Sequence, residues 1–140
     1  MKTSKQDNND IWDIYIGSQI VDSDMNWSAA QNQALPLKTP IHIITACNPF
    51  GNVLTSDENS LRNLSLKVYI EKLNFECKPV IGRSPNGDWQ ENSFAIYGFT
   101  RSQACQLPQA FDQRAIFELT EKELLVIDAN NFELKRRRPM

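Results

Sequence analysis

The run Ile41-His42-Ile43-Ile44-Thr45-Ala46-Cys47 constrains this chain more than any other segment. It is apolar, rich in β-branched residues, and bracketed by Pro40 on one side and Asn48-Pro49 on the other. Such residues favour extended backbone, and a run without polar alternation fits a strand covered on both faces. A central strand, and a sheet built around it, is therefore the first expectation. The chain is long enough to supply the rest: 140 residues, 41% hydrophobic and 23% charged, match one globular domain. Five glycines and seven prolines are too few for a collagen-like or low-complexity chain. No stretch approaches the roughly 18 uninterrupted apolar residues of a membrane-spanning helix.

Around that strand the other elements carry local signals. Thr55-Ser56-Asp57-Glu58 fits a capping box, in which the Thr55 hydroxyl and the Glu58 carboxylate satisfy free amides at a helix start. The helix should run to about Leu73, with Leu61, Leu64, Leu66, Val68, Tyr69, Ile70 and Leu73 forming one wide stripe against a sheet. Lys78 to Arg83 and Trp89 to Phe99 flank Ser84-Pro85-Asn86-Gly87-Asp88, where Asn-Gly supplies the positive φ angles of a hairpin turn. In the second strand Trp89, Glu91, Ser93, Ala95 and Tyr97 share one face, and Phe94 and Ile96 point to the core on the other. Thr100-Arg101-Ser102-Gln103 is a second capping box, opening a short helix that Pro108 kinks or curtails. Arg114 to Thr120 and Leu124 to Ala129 read as a further antiparallel pair.

The resulting order is strand, helix, strand, strand, helix, strand, strand. It predicts an α+β fold: a mainly antiparallel sheet with two helices on one face, in the ferredoxin-like split β-α-β order with an added C-terminal strand. Residues 1–10 read as a disordered polar tail, 11–134 as a single domain, and 135–140 as a solvated basic tail around Lys135-Arg136-Arg137-Arg138. Ile11 to Val21 form a helical turn leading into an edge strand, or either element alone. The segment from Asp22 to Thr39 is a polar connection with a helical turn around Trp27 to Ala34.

With 15 basic and 17 acidic residues, the chain has no global field to draw it to nucleic acid or anionic membrane. The polar start, without the apolar core of a secretory signal, predicts a cytoplasmic location. Cys47, Cys77 and Cys105 are odd in number and widely spaced, so three reduced and mostly buried thiols are expected, with no metal site and no cofactor.

One set of short motifs occurs in a distinctive order: Ile43-Ile44-Thr45-Ala46-Cys47-Asn48-Pro49, Glu58-Asn59, Gly82, Trp89-Gln90-Glu91-Asn92-Ser93-Phe94, and Gln113-Arg114-Ala115-Ile116-Phe117. Together, over roughly Ile41 to Ile127, they resemble the bacterial domain of unknown function family 3293. The resemblance implies a bacterial domain without an assigned activity. The family usually carries an aromatic residue where this chain has Cys47, and the polar segment Asp22 to Pro36 is longer than usual.

Asn48 and Pro49 fall just past the carboxyl end of the central strand and before a helix, where layered folds open ligand crevices. Asn59 in the first helical turn can reach back to this loop, and Glu91 on the neighbouring strand can reach the same end. The candidate ligand-binding set is Asn48, Pro49, Asn59, Trp89, Glu91 and Gln113, with no catalytic or metal-binding residue assigned. The competing reading makes Asn48 and Asn59 braces of the loop, with Glu91 paired to a backbone amide or to Arg83.

Glu91 is the one general acid or base in the set and has no second carboxylate, histidine or metal beside it, so the set leans away from catalysis. His42, the sole histidine, reads as a core or sheet-face residue. Ser93 and Ser102 lack a nucleophile elbow, Cys47 and Cys105 lack a base, and Gly51 and Gly87 are single turn glycines without a phosphate-binding loop. The expected function is a non-catalytic module that binds a small polar ligand or a protein partner. The alternatives are nucleic-acid binding, through Lys135 to Arg138 or by stacking on Trp89 and Tyr97, and an enzyme using Glu91.

Overall fold

The computed structural model describes residues 11–29 and 34–140. The expected disordered tail at 1–10, and the end of the helical turn predicted near Ala34, fall wholly or partly outside these residues. The architecture is α+β: a seven-stranded antiparallel sheet with three helices. Helix α1 covers residues 11–16 and strand β1 Gln19–Val21. Then come β2 (Ile41–Ile44), α2 (Ser56–Lys72), β3 (Cys77–Arg83), β4 (Gln90–Tyr97), α3 (Arg101–Gln109), β5 (Ala115–Leu119), β6 (Glu123–Asp128) and β7 (Leu134–Pro139). The sheet order is β1-β3-β4-β2-β5-β6-β7.

Strand β2 lies in the middle of this order, and all four of its residues are buried. Its alternate side chains feed two cores. Ile44 joins Leu66 and Ile70 of α2, Phe94 and Ile96 of β4, and Ala104 and Leu107 of α3. Ile41 and Ile43 join Ile20, Trp27, Val80, Ala95 and the C-terminal Met140 on the opposite face. Both helices α2 and α3 begin with the expected capping boxes: Thr55 accepts from Glu58 N and Thr100 from Gln103 N, each reciprocated. Helix α3 ends one residue after Pro108.

Two expectations are corrected. The apolar residues of α2 do not form one stripe, because only Leu66 and Ile70 among them are buried, with Leu61 67% and Leu64 57% exposed. At about 100° per residue, Leu66 and Ile70 lie on one side of the helix, whereas Leu61, Leu64 and Val68 fall on the other. The basic run Lys135 to Arg138 is not a solvated tail. It lies in β7, paired with β6 through Leu125↔Arg137 and Val126↔Arg136.

That run holds α1. Arg136 pairs with Asp13 at 2.7 Å, Lys135 lies 5.8 Å from the Trp12 ring centroid, and Arg138 donates to the carbonyls of Ile16 (2.7 Å) and Ser18 (2.9 Å). Each contact is small alone, but together they fix the helix against the outer strands. Arg137 pairs with Glu123. No helix among the described residues is long and apolar enough to cross a membrane.

Gly98, between β4 and α3, has φ +107, and a Cβ there would lie 2.9 Å from Phe75 Cε1. Phe75 itself packs edge-on to Phe99 with centroids 4.4 Å apart. Gly98→Ala is therefore expected to cost about 2 kcal/mol in urea denaturation; an unchanged midpoint would mean that Phe75 gives way freely.

Candidate functional site

Past Ile44 the chain leaves the sheet, and its backbone groups lose their ladder partners. Side chains replace them. Asn63 of α2 accepts from Ala46 N (2.9 Å) and donates to Asn92 O (2.8 Å). Arg62 donates to Ala46 O (2.6 Å), Gln113 to Cys47 O (2.9 Å), and Thr45 Oγ1 to Asn92 O (2.7 Å). Asn48 then adopts left-handed backbone, φ 48 and ψ 67, which asparagine tolerates better than most residues.

The Asn48 side chain makes three hydrogen bonds. Its Oδ1 accepts from Leu54 N (3.0 Å) and from Asn59 Nδ2 (2.9 Å), and its Nδ2 donates to Glu91 Oε2 at 2.9 Å. Asn59 Oδ1 in turn accepts from Asn48 N (2.9 Å). The Asn48–Asn59 brace and the Asn48–Glu91 contact thus coexist. Arg83, the alternative partner of Glu91, donates instead to Gln19 Oε1 at 3.0 Å. Among the described residues Glu91 has no other side-chain partner, so Oε1 is not hydrogen-bonded. Burial pushes its carboxyl up to about 7, against the opposing hydrogen bond from Asn48.

Glu91 faces a cavity of about 440 Å³ on the sheet face opposite α2 and α3. Asn48, Trp89 and Gln113 line it with Glu91, as do Ile43, Gly82, Ser93 and Phe117 of the strands. Helix α1 contributes Ile14 and Tyr15, and the loop after β2 contributes Phe50 and Val53. Arg114, which ends the loop before β5, reaches the same space and donates to Phe50 O at 3.1 Å. The Arg114 guanidinium also stands near the Tyr15 hydroxyl. Burial raises the Tyr15 phenol, the nearby Arg114 guanidinium opposes this, and the Glu91 charge adds to it.

Of the six candidates, Asn48, Trp89, Glu91 and Gln113 converge on the cavity. Asn59 lies behind Asn48 and lines a wider groove of about 900 Å³ between α2 and the β3–β4 edge, while Pro49 starts a short 3-10 turn and lines neither. Tyr15 and Arg114 were not in the candidate set. Arg114 carried a signal, an arginine directly after Gln113 at the mouth of a strand. The sequence leaves open whether Tyr15 or Trp12 completes the site; Tyr15 lines the cavity, and Trp12 packs against it with ring centroids 5.8 Å apart without lining it.

His42 and Glu118 form a separate cluster on the helix side. His42 Nε2 lies 2.9 Å from Glu118 Oε1, and Arg101 donates to both Glu118 oxygens at 3.1 and 2.8 Å. Burial alone would raise the Glu118 carboxyl, but the hydrogen bonds and charges of His42 and Arg101 outweigh it and hold it at about 2. Neither residue lines the 440 Å³ cavity. The three thiols are free, with Cys47 and Cys105 buried. Among the described residues no group of three His, Cys, Asp or Glu side chains is placed to hold a metal ion.

The sequence profile described as protein of unknown function, DUF3293, matches residues 44–116, just over half of the chain. The chain belongs to this family. The DUF3293 match contains Asn48, Asn59, Trp89, Glu91, Gln113 and Arg114, whereas Tyr15 and Ile14, which close the cavity from α1, lie outside it. No curated protein and no solved structure matches the chain.

Proposed function

We propose that this protein binds a small organic molecule in the cavity beneath α1, with Glu91 as the anchoring group. The observation that carries this reading is the Glu91 carboxyl: one oxygen is held by Asn48 at 2.9 Å and the other has no partner among the described residues, inside a concavity of about 440 Å³. That volume falls in the range of ordinary ligand pockets, which are mostly apolar with a few placed polar groups. Ile43, Trp89 and Phe117 supply the apolar walls. Nucleic-acid binding has less support, since the basic run of β7 is engaged by Asp13, Glu123 and backbone carbonyls.

A carboxyl near neutrality is also suited to proton transfer. This second reading differs from the first in predicting turnover of a bound compound. The three free thiols fit a reducing compartment such as the cytoplasm. Within the sheet, we read β3-β4-β2-β5 as the expected split β-α-β order; β4 standing between β3 and β2 supports it.

The test is a thermal-shift screen of amino acids, amines, organic acids, sugars and nucleotides on the wild type and Glu91→Gln. A ligand at 100 times its Kd stabilises by about 2.7 kcal/mol, several degrees for a domain of this size. A gain in the wild type that falls by half or more in Glu91→Gln supports the pocket. No gain with any class, or equal gains in both proteins, overturns it.

A further inference from the structure

Arg114 and Glu91 line the same cavity, yet they are not paired with each other, and neither makes an ion pair among the described residues. Both are partly buried, and a buried charge ordinarily finds a counter-charge. The acceptor that the Arg114 side chain does have, Phe50 O, is neutral and leaves guanidinium N–H groups unused. The Tyr15 hydroxyl lines the same cavity as a further donor. Glu91 and Ser93 stand on one strand face of the same cavity, two residues apart. The cavity lining therefore combines a donor-rich cation, an acid and apolar walls. Ile14 (69% exposed) and Phe50 (47% exposed) stand at its rim from α1 and the β2 loop.

We infer that the ligand is a zwitterion with an apolar body: its anionic group meets Arg114 and Tyr15, its ammonium group meets Glu91, and its apolar part lies against Trp89 and Phe117. This deepens the pocket reading above and rests on it. A planar guanidinium with two or more free N–H groups is matched to a carboxylate. An ammonium group, in turn, supplies the positive charge that the Glu91 environment lacks. A ligand with only one charge would leave the opposite wall group desolvated and unpaired, which is the physical basis for discrimination.

The experiment is calorimetric titration at pH 8, above the Glu91 value of about 7, with three matched probes. L-phenylalanine carries both charges, 2-phenylethylamine the ammonium alone, and 3-phenylpropionate the carboxylate alone; L-leucine, isopentylamine and 4-methylpentanoate repeat the series with an aliphatic body. The zwitterion of at least one series is expected to bind at least about tenfold tighter than either single-charge analogue. Arg114→Gln should bring the zwitterion's affinity down to that of the amine while leaving the amine within about twofold, and Arg114→Lys should recover part of the loss. Glu91→Gln should do the mirror image with the carboxylate.

An amine that binds as tightly as its zwitterion, with no effect of Arg114→Gln, overturns the zwitterion and leaves Glu91-anchored binding standing. A single-charge or neutral hit from the screen, with every zwitterion blank, does the same. Silence from all six probes and from the whole screen overturns both readings.

Discussion

Glu118→Ala is expected to remove about 3–5 kcal/mol of stability, the usual cost of deleting one partner of a buried ionic cluster. Glu118 is the hub of three hydrogen bonds, from His42 Nε2 and from Nε and Nη2 of Arg101. His42 is fully buried, and its Nδ1 already lacks a partner, so the alanine variant strands the whole imidazole. Arg101, with a 40% exposed side chain, can turn to water, and Arg101→Ala should cost much less. Urea denaturation of both variants at pH 7 separates the terms.

The acid limb adds a second check. Glu118 is held at about 2, below its ordinary 4.5, so its contribution is present above the ordinary value and is lost as pH falls towards 2. Wild type and Glu118→Ala should converge there. A loss under about 1 kcal/mol at pH 7 would show that the cluster carries little of the fold's stability.

Glu91→Gln should have the opposite sign. The Glu91 carboxyl is raised from 4.5 to about 7 in the folded protein, so the native state binds its proton more tightly than the unfolded chain does. The Glu91 contribution to stability is then greatest below pH 4.5, declines as pH rises from 4.5 to 7, and stays lowered above 7. Glutamine copies the neutral acid and still accepts from Asn48, so it escapes this penalty. At pH 8 the variant should be more stable than the wild type by up to about 3 kcal/mol, and at pH 4 the two should coincide. Paired denaturation curves at the two pH values decide it. A variant less stable at both would make Glu91 a brace of the Asn48 loop. A more stable variant at pH 8 would favour the anchoring role proposed for Glu91.

The legible parts of this protein were those whose cause lies within a few residues. The apolar run at Ile41 to Ile44 announced a strand buried on both faces. Both capping boxes and the Asn86-Gly87 turn placed α2, α3 and the β3–β4 hairpin, because a cap or a tight turn depends on backbone conformation and side-chain type over about four residues. The rule that polar groups gather past the end of a central strand also brought Asn48 and Glu91 to one point, and the 2.9 Å contact joins them.

Pairings over long separations were not written in neighbouring residue types. His42 and Glu118 stand 76 residues apart, and Arg138 meets Ile16 across 122, so each pairing depends on sheet order and register rather than on local pattern. A run of four basic residues looks the same as a tail or as a strand, and only a partner strand with α1 above it distinguishes the two. The same holds for α2, whose apolar residues split around the helix once the sheet selected Leu66 and Ile70. Tyr15 and Arg114 reached the cavity because β7 anchors α1 over a face that the two longer helices leave uncovered. Local chemistry sets what each segment can become; the competition among segments for burial and for backbone partners sets where each one stands, and the cavity exists only after that competition is resolved.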